Sequence, residues 1–219
     1  MKLEKVLEII GAGLVKAFET LSFDPEGVYA RAQAYTLPDW RHHQEWLAGG
    51  AGAGAAAIPV FHYATLPADI LWLINRMDEC CYGVGAIIGN ECGKGNMLEK
   101  EDLANILALW GDHITVHQLD IAVSESRGAS SAGSTGALPL GKLAAASLGV
   151  VGAGAVTAPF VSKVAAKLGA KIAAKSVAGW IPVAGALVSG GINVWLVSSV
   201  SSAAEKYYIW KSNHWGQIT

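Results

Sequence analysis

Apolar residues recur along most of this chain at the three-to-four-residue spacing of helices. Leu3, Val6, Leu7, Ile10 and Leu14 form such a series, which predicts an amphipathic helix from about Leu3 to Leu21. Ser22 to Glu26 breaks it, and Pro25 suits the first turn of a following helix. Glu26 to Thr36 is short and polar. Pro38 and Asp39 then open one or two helical turns in DWRHHQEWLAGG. GGAGAGAAAIP follows, with too much glycine for an isolated helix, since each costs ~1 kcal/mol relative to alanine. Packed between neighbours, the same residues let backbones approach closely.

Leu66-Pro67 begins a stronger helix, with Ile70, Leu73, Ile74, Met77 and Cys81 on one apolar stripe. Gly89 to Gly95 reads as a loop, Glu99 to about Ala122 as one helix, and Gly128 to Gly136 as a flexible linker. Leu143 to Ser162 carries no charge. Gly149, Ala153, Gly154 and Ala158 give it small-residue spacing for helix packing. Pro159 to Val177 places Lys163, Lys167, Lys171 and Lys175 within ~120° of a helix circumference, opposite Val161, Ala165, Leu168 and Ile172. That is a basic amphipathic helix of the kind that lies on a membrane surface.

Ile181 to Ala204 contains no Asp, Glu, Lys or Arg and is long enough to cross a bilayer. Gly185, Ser189 and Asn193 recur every fourth residue along it, a strip suited to a partner helix. We expect it to be a central helix, shielded mainly by 47–61, 68–88 and 143–161. After it, Tyr207, Tyr208, Trp210 and Trp215, mixed with Lys206 and Lys211, have the composition of a membrane-interface belt. Sustained period-two alternation is lacking, so the predicted fold is all-α: a single compact multi-helix domain with a Gly/Ala-rich apolar central helix. Residues 1–45 read as an N-terminal amphipathic helix and connecting segment, and 46–215 as the main helical domain, with the linker at 128–136.

Composition sharpens this picture. The chain of 219 residues is 52% hydrophobic and 16% charged, against a typical ~25% charged. Its formal net charge of −2 gives no general attraction to nucleic acid. From Gly128 to Ala204, however, the only charges are lysines, which points to anionic lipid as the partner. Cys80, Cys81 and Cys92 are odd in number and form no CxxC pair, which argues against a disulfide framework and for free thiols in a reducing compartment. Glu4, Lys5 and Glu8 interrupt what would be the apolar region of a secretory signal.

Candidate chemistry is sparse. His113, His117 and Asp120 share one predicted helix face at a spacing that can ligate metal, but HExxH is absent, and a polar outer face with no metal is the expectation. His42, His43 and Glu45 are read the same way. Gly49 to Ala55 follows no strand, so it is no dinucleotide fingerprint, and Gly95 stands where a P-loop needs Ser or Thr. There is no GxSxG elbow. No cofactor is implied. Asp69 and Arg76 face the same way on their helix with Glu79 in reach of Arg76, as an ion pair or as a polar site for a lipid headgroup.

The chain resembles the EcsC family of bacterial proteins. The match lies first in IPVAGALVSGGINVWLVSSVSSAAEKYYIWK, through Ile181, Pro182, Gly185, Ala186, Asn193, Ala204 and Tyr208. LPADILWLINRMDECCYGVG adds Pro67, Asp69, Tyr82 and Gly83, and the ILALWG and PFVSKVAAKLGAKIAAKS segments also fit. The likeness runs from about Leu47 to Trp215 and departs at Gly89 to Gly95. It implies a helical, membrane-associated protein with no reaction to carry over, since the shared residues are mostly Pro, Gly and small side chains.

The expected function is a peripheral lipid-binding protein that docks on anionic membrane, cytoplasmic and peripheral to or inserted in the inner membrane. Its expected contacts are Lys163, Lys167, Lys171, Lys175, Tyr207, Tyr208, Trp210 and Trp215, with Asp69 and Arg76 as the polar headgroup site. The alternative is a pore-forming or inserting protein with 143–162 and 181–204 as a helical hairpin. A third reading is an enzyme acting on a lipid around Asp69, His62 or His113.

Overall fold

The computed structural model describes residues 24–56, 62–130, 151–152, 155–156, 164–168 and 182–217. Of 52–56, 62–71, 125–130, 151–152, 155–156, 182–189 and 217 it describes the backbone path alone. The helix expected over 3–21 lies outside the described residues.

Helix α1, Pro25–Ala32, starts as its sequence predicts. The Asp24 side chain accepts from the Gly27 N–H at 2.9 Å, and Pro25 occupies the first turn. Helix α2, Leu37–Ala56, opens on Thr36, whose hydroxyl exchanges hydrogen bonds with Asp39. It then runs unbroken through the glycine-rich stretch, where one or two turns were expected. Packing supplies what propensity does not. Ala48 is fully buried, and a Cβ on Gly49 would sit 2.9 Å from Val194. The division drawn at residue 45 therefore falls inside α2.

Helix α3, His62–Glu91, buries Leu73, Ile74, Met77 and Cys81, as the apolar stripe predicts. Further on, missing side chains admit its neighbours. The Trp40 ring of α2 lies where a Cβ on Gly83 would go (2.1 Å), and the Tyr208 ring where one on Gly85 would go (2.3 Å).

The expected single helix over 99–122 is two. Helix α4, Asp102–Trp110, ends at Gly111, and Asp112 takes a left-handed φ of 56°. Helix α5, Val116–Ser130, restarts on a capping box. The Thr115 N–H donates to Gln118 Oε1 at 2.8 Å, and the Gln118 N–H donates back to Thr115 Oγ1 at 3.3 Å. Residues 128–130, read as the start of a linker, belong to α5.

Leu143 to Ser162 is not one helix either. Strands β1, Val151–Gly152, and β2, Ala155–Val156, pair antiparallel, so the chain reverses between them. Val150, Val151, Val156 and Thr157 are β-branched and flank the four residues GAGA, a hairpin signal that overrides small-residue spacing. A continuous helix over 143–162, the first arm of the alternative helical hairpin, is thereby broken. A helical piece at 164–168 buries Val164, Ala165 and Leu168.

Helix α6, Pro182–His214, followed by the 3-10 turn Trp215–Gln217, packs against α2, α3, α4 and α5. The fold is all-α, a compact packed domain whose one described departure is the two-residue ladder. The Asn193 amide donates to the Ala48 carbonyl at 3.3 Å, a bond to a neighbouring helix. From Asn193 to Ser212 the buried side chains of α6 include Leu196, Val197, Val200, Ala204, Tyr207 and Tyr208. The side chains of 182–189, and any shielding by 143–149, lie outside the described residues. Among the described residues, no helix is long and apolar enough to cross a membrane.

Candidate membrane-facing end

Side-chain contacts fix how the long helices line up. Arg41 Nε donates to Ser201 Oγ at 2.8 Å and Arg41 Nη2 pairs with Glu205 at 2.7 Å, while Ala48 meets Asn193, so α2 and α6 are antiparallel. Trp40 Nε1 donates to the Cys80 carbonyl and Arg76 to Gln44, so α2 and α3 are antiparallel too. The C-terminal end of α2 and the N-terminal ends of α3 and α6 therefore share one end of the bundle. In sequence these are 46–56, 62–75 and 182–195, and Asp69 is the single Asp, Glu, Lys or Arg in all three.

At the border of that end stand three exposed indoles: Trp46 is 71% exposed, Trp195 39% and Trp72 37%. The helix registers put them within about one turn, or ~5 Å, of the same height. Trp195 also lies 6.5 Å from the Trp110 ring, and Trp110 Nε1 donates to Ser199 Oγ at 2.8 Å. Lys167 sits 5.0 Å over the Trp110 ring, donates to the Trp110 carbonyl at the end of α4, and pairs with Asp112 at 2.9 Å. Below the indoles comes a layer of ion pairs, Arg41–Glu205, Arg31–Glu79 and Arg76–Glu79.

The aromatic set assigned to the membrane from sequence is elsewhere. Tyr207, Tyr208 and Trp210 are buried, at the opposite end of α6 from the uncharged residues, and cannot be surface contacts. The reason is Asp102, fully buried at the start of α4. Its Oδ1 accepts from the Tyr207 hydroxyl at 2.7 Å and Lys211 Nζ at 2.7 Å. Its Oδ2 accepts from the Tyr208 hydroxyl at 3.0 Å, Lys211 at 2.9 Å and the Glu99 N–H at 2.9 Å. Lys211 also reaches Glu99 Oε2 at 3.1 Å, and its ammonium lies under the rings of Tyr207, Tyr208 and Trp215. Burial and the Asp102 charge hold both tyrosine hydroxyls well above their usual range, so they stay protonated donors. With Asp102 and Lys211 at 0% exposure, the cluster has no opening to a substrate and acts as a lock between α4 and α6. Trp210 Nε1 donates to Asp120 at 2.7 Å, tying α5 to the same helix. Half-buried Trp215 closes over Lys211.

The remaining candidates fall as follows. Arg76 is paired with Glu79 at 2.6 Å and bonded to Gln44, which makes it an ion-pair residue whose charge is already balanced. The side chains of Asp69 and His62 and the whole of Lys163, Lys171 and Lys175 lie outside the described residues. His113 sits in the turn between α4 and α5, so it shares no helix face with His117 and Asp120. His43 stacks on Tyr35 beside Trp40. Among the described residues, no group of three or more His, Cys, Asp or Glu is placed to hold a metal. Cys80 and Cys81 are buried free thiols, with burial pushing Cys80 up to about 12, and Cys92 is an exposed one.

Compared with family models, curated proteins and solved structures, the chain matches none.

Proposed function

We propose that this is a peripheral membrane protein that binds lipid and docks on anionic bilayers through the uncharged end of its helical bundle. The observation that carries the reading is the convergence of 46–56, 62–75 and 182–195 on one end with Asp69 as their single charged residue. Among the described residues Trp46, Gly50, Ala51, Trp72, Gly191 and Trp195 are exposed there, and exposed apolar surface on a monomer marks an interaction surface. Lys167 stands at its border, paired with Asp112, and Lys163, Lys171 and Lys175 are within eight residues of it along the chain. The resemblance to the EcsC family agrees with this reading. No reaction is assigned.

The test is co-sedimentation with phosphatidylcholine vesicles with and without phosphatidylserine. Lys167 also caps α4, so the cleaner variant replaces Lys163, Lys171 and Lys175 with Gln. Basic residues near an anionic surface contribute ~1 kcal/mol each. Binding to anionic vesicles should therefore drop steeply in this variant and weaken with added salt. Equal binding to neutral vesicles at every ionic strength would overturn anionic docking.

A further inference from the structure

We propose that Trp46, Trp72 and Trp195 form an interfacial belt that stops the uncharged end of the bundle after it has filled one leaflet. This rests on the docking reading above and adds which end enters, how far, and what halts it.

Depth follows from helix length. From Trp46 to Ala56, His62 to Trp72 and Pro182 to Trp195, the three helix ends reach about 15–20 Å beyond the belt at 1.5 Å per residue. The hydrocarbon core is ~30 Å thick, so they reach about half-way across. Indoles have an apolar body and a polar N–H, which favours the headgroup boundary over either side of it. Three of them at one height, on three different helices, are exposed at a border where an apolar core would otherwise claim them. On the far side of the indoles the Arg41–Glu205, Arg76–Glu79 and Arg31–Glu79 pairs come next, at a height that suits water or headgroups. Lys167, over Trp110 and so beside Trp195, stands at the height of the indoles, paired there with Asp112. Asp69 is less than one turn from Trp72 and so near the belt instead of at the tip.

Three thiol positions test the depth. Gly50 and Gly191 are exposed helix positions with nothing within 4 Å of an added Cβ, and each lies about one turn inside the belt. Cys92, exposed just past the end of α3, marks the opposite end, while buried Cys80 and Cys81 are shielded from label. An environment-sensitive fluorophore is placed on Cys92 of the unaltered chain. It is placed on Gly50→Cys and Gly191→Cys in chains carrying Cys92→Ser. With phosphatidylcholine–phosphatidylserine vesicles, labels at 50 and 191 should shift to the blue. Spin labels high on the acyl chain should quench them more than spin labels at its end, and the Cys92 label should not change. Trp46→Ser and Trp195→Ser should each lower partitioning roughly tenfold, with an unchanged circular dichroism spectrum. Protein that co-sediments while positions 50 and 191 stay polar, or while Cys92 shifts, overturns the belt and leaves docking standing. Blue shifts that track protein concentration without vesicles make the belt a contact between copies and overturn it. Failure to co-sediment with any vesicle removes docking and belt together.

Discussion

The two ends of α6 are built on opposite principles. At its C-terminal end the helix carries Tyr207, Tyr208, Trp210 and Lys211, amphipathic groups usually left half in water, and all four are buried. At its N-terminal end stands a run without charge, bordered by an exposed tryptophan. Large polar-tipped side chains can go inside when one acid gathers their tips. Asp102 accepts from two hydroxyls, one ammonium and one backbone N–H, so little desolvation cost is left unmet. No described group does that for Trp46, whose ring remains in the open. Burial here is decided by partners more than by hydropathy.

The largest effect should come from unbalancing the locked end. Lys211→Met leaves Asp102 and Glu99 facing each other without their cation. Breaking a buried pair by removing one partner costs ~3–5 kcal/mol. Urea unfolding should register that loss, and Asp102→Leu in the same chain should recover much of it. A Lys211→Met protein within ~1 kcal/mol of the parent would mean the cluster is no lock.

Next come the glycines that admit this end's aromatic rings. Gly83→Ala and Gly85→Ala drive a methyl into Trp40 and Tyr208, at 2.1 and 2.3 Å in the unrelaxed geometry. Overpacking of this sort costs ~1–3 kcal/mol even after the gain in helix propensity. Thermal unfolding of the two variants checks it, and a rise in melting temperature would show that the rings move aside freely.

Much of the helical frame was legible in the sequence because its signals are local. Pro25 after Asp24, the stripe Leu73, Ile74, Met77 and Cys81, and the inward Ala165 and Leu168 each depend on neighbours within two turns. The break after Trp110 was equally local, in Gly111 and in the Thr115–Gln118 capping box, and was missed because apolar spacing continued across it. The Val-flanked reversal at Val151–Val156 was masked in the same way by small-residue spacing. What sequence could not supply was pairing over distance. Lys211 finds Asp102 across 109 positions, and nothing in EKYYIWK separates a core aromatic cluster from an interfacial one. The shared height of Trp46, Trp72 and Trp195 is harder still, since it arises through the antiparallel registers alone.

A pH-dependent effect concerns Asp78, on the ion-pair side of the three indoles. Burial first, then the neighbouring Glu79 charge, raises its carboxyl from 3.8 to about 7. The folded state thus holds a proton that the unfolded state has released between about pH 4 and 7. Stability contributed by that proton is full below the unfolded value and is lost as pH rises through the folded one. The slope is at most ~1.4 kcal/mol per pH unit. Asp78→Asn should flatten the decline between pH 4 and 7 in urea unfolding. An unchanged slope in that variant would assign the pH dependence to other groups.

Smallest on folding, and most telling about the contrast between the ends, is Trp46→Gln. At 71% exposure the indole has few protein contacts to lose, and surface substitutions of this kind usually stay within ~0.5 kcal/mol. Trp40, six residues earlier on the same helix, is 2% exposed and bonded to the Cys80 carbonyl. Trp40→Gln should cost several kcal/mol, in the range of ~3–5 for emptying a buried aromatic site. One substitution on one helix thus separates an indole that holds the fold from one whose apolar surface is open to a partner. Paired urea titrations measure the gap. Equal losses at the two positions would mean that Trp46 is covered by the chain itself, and the uncharged end would then be a second core instead of a surface.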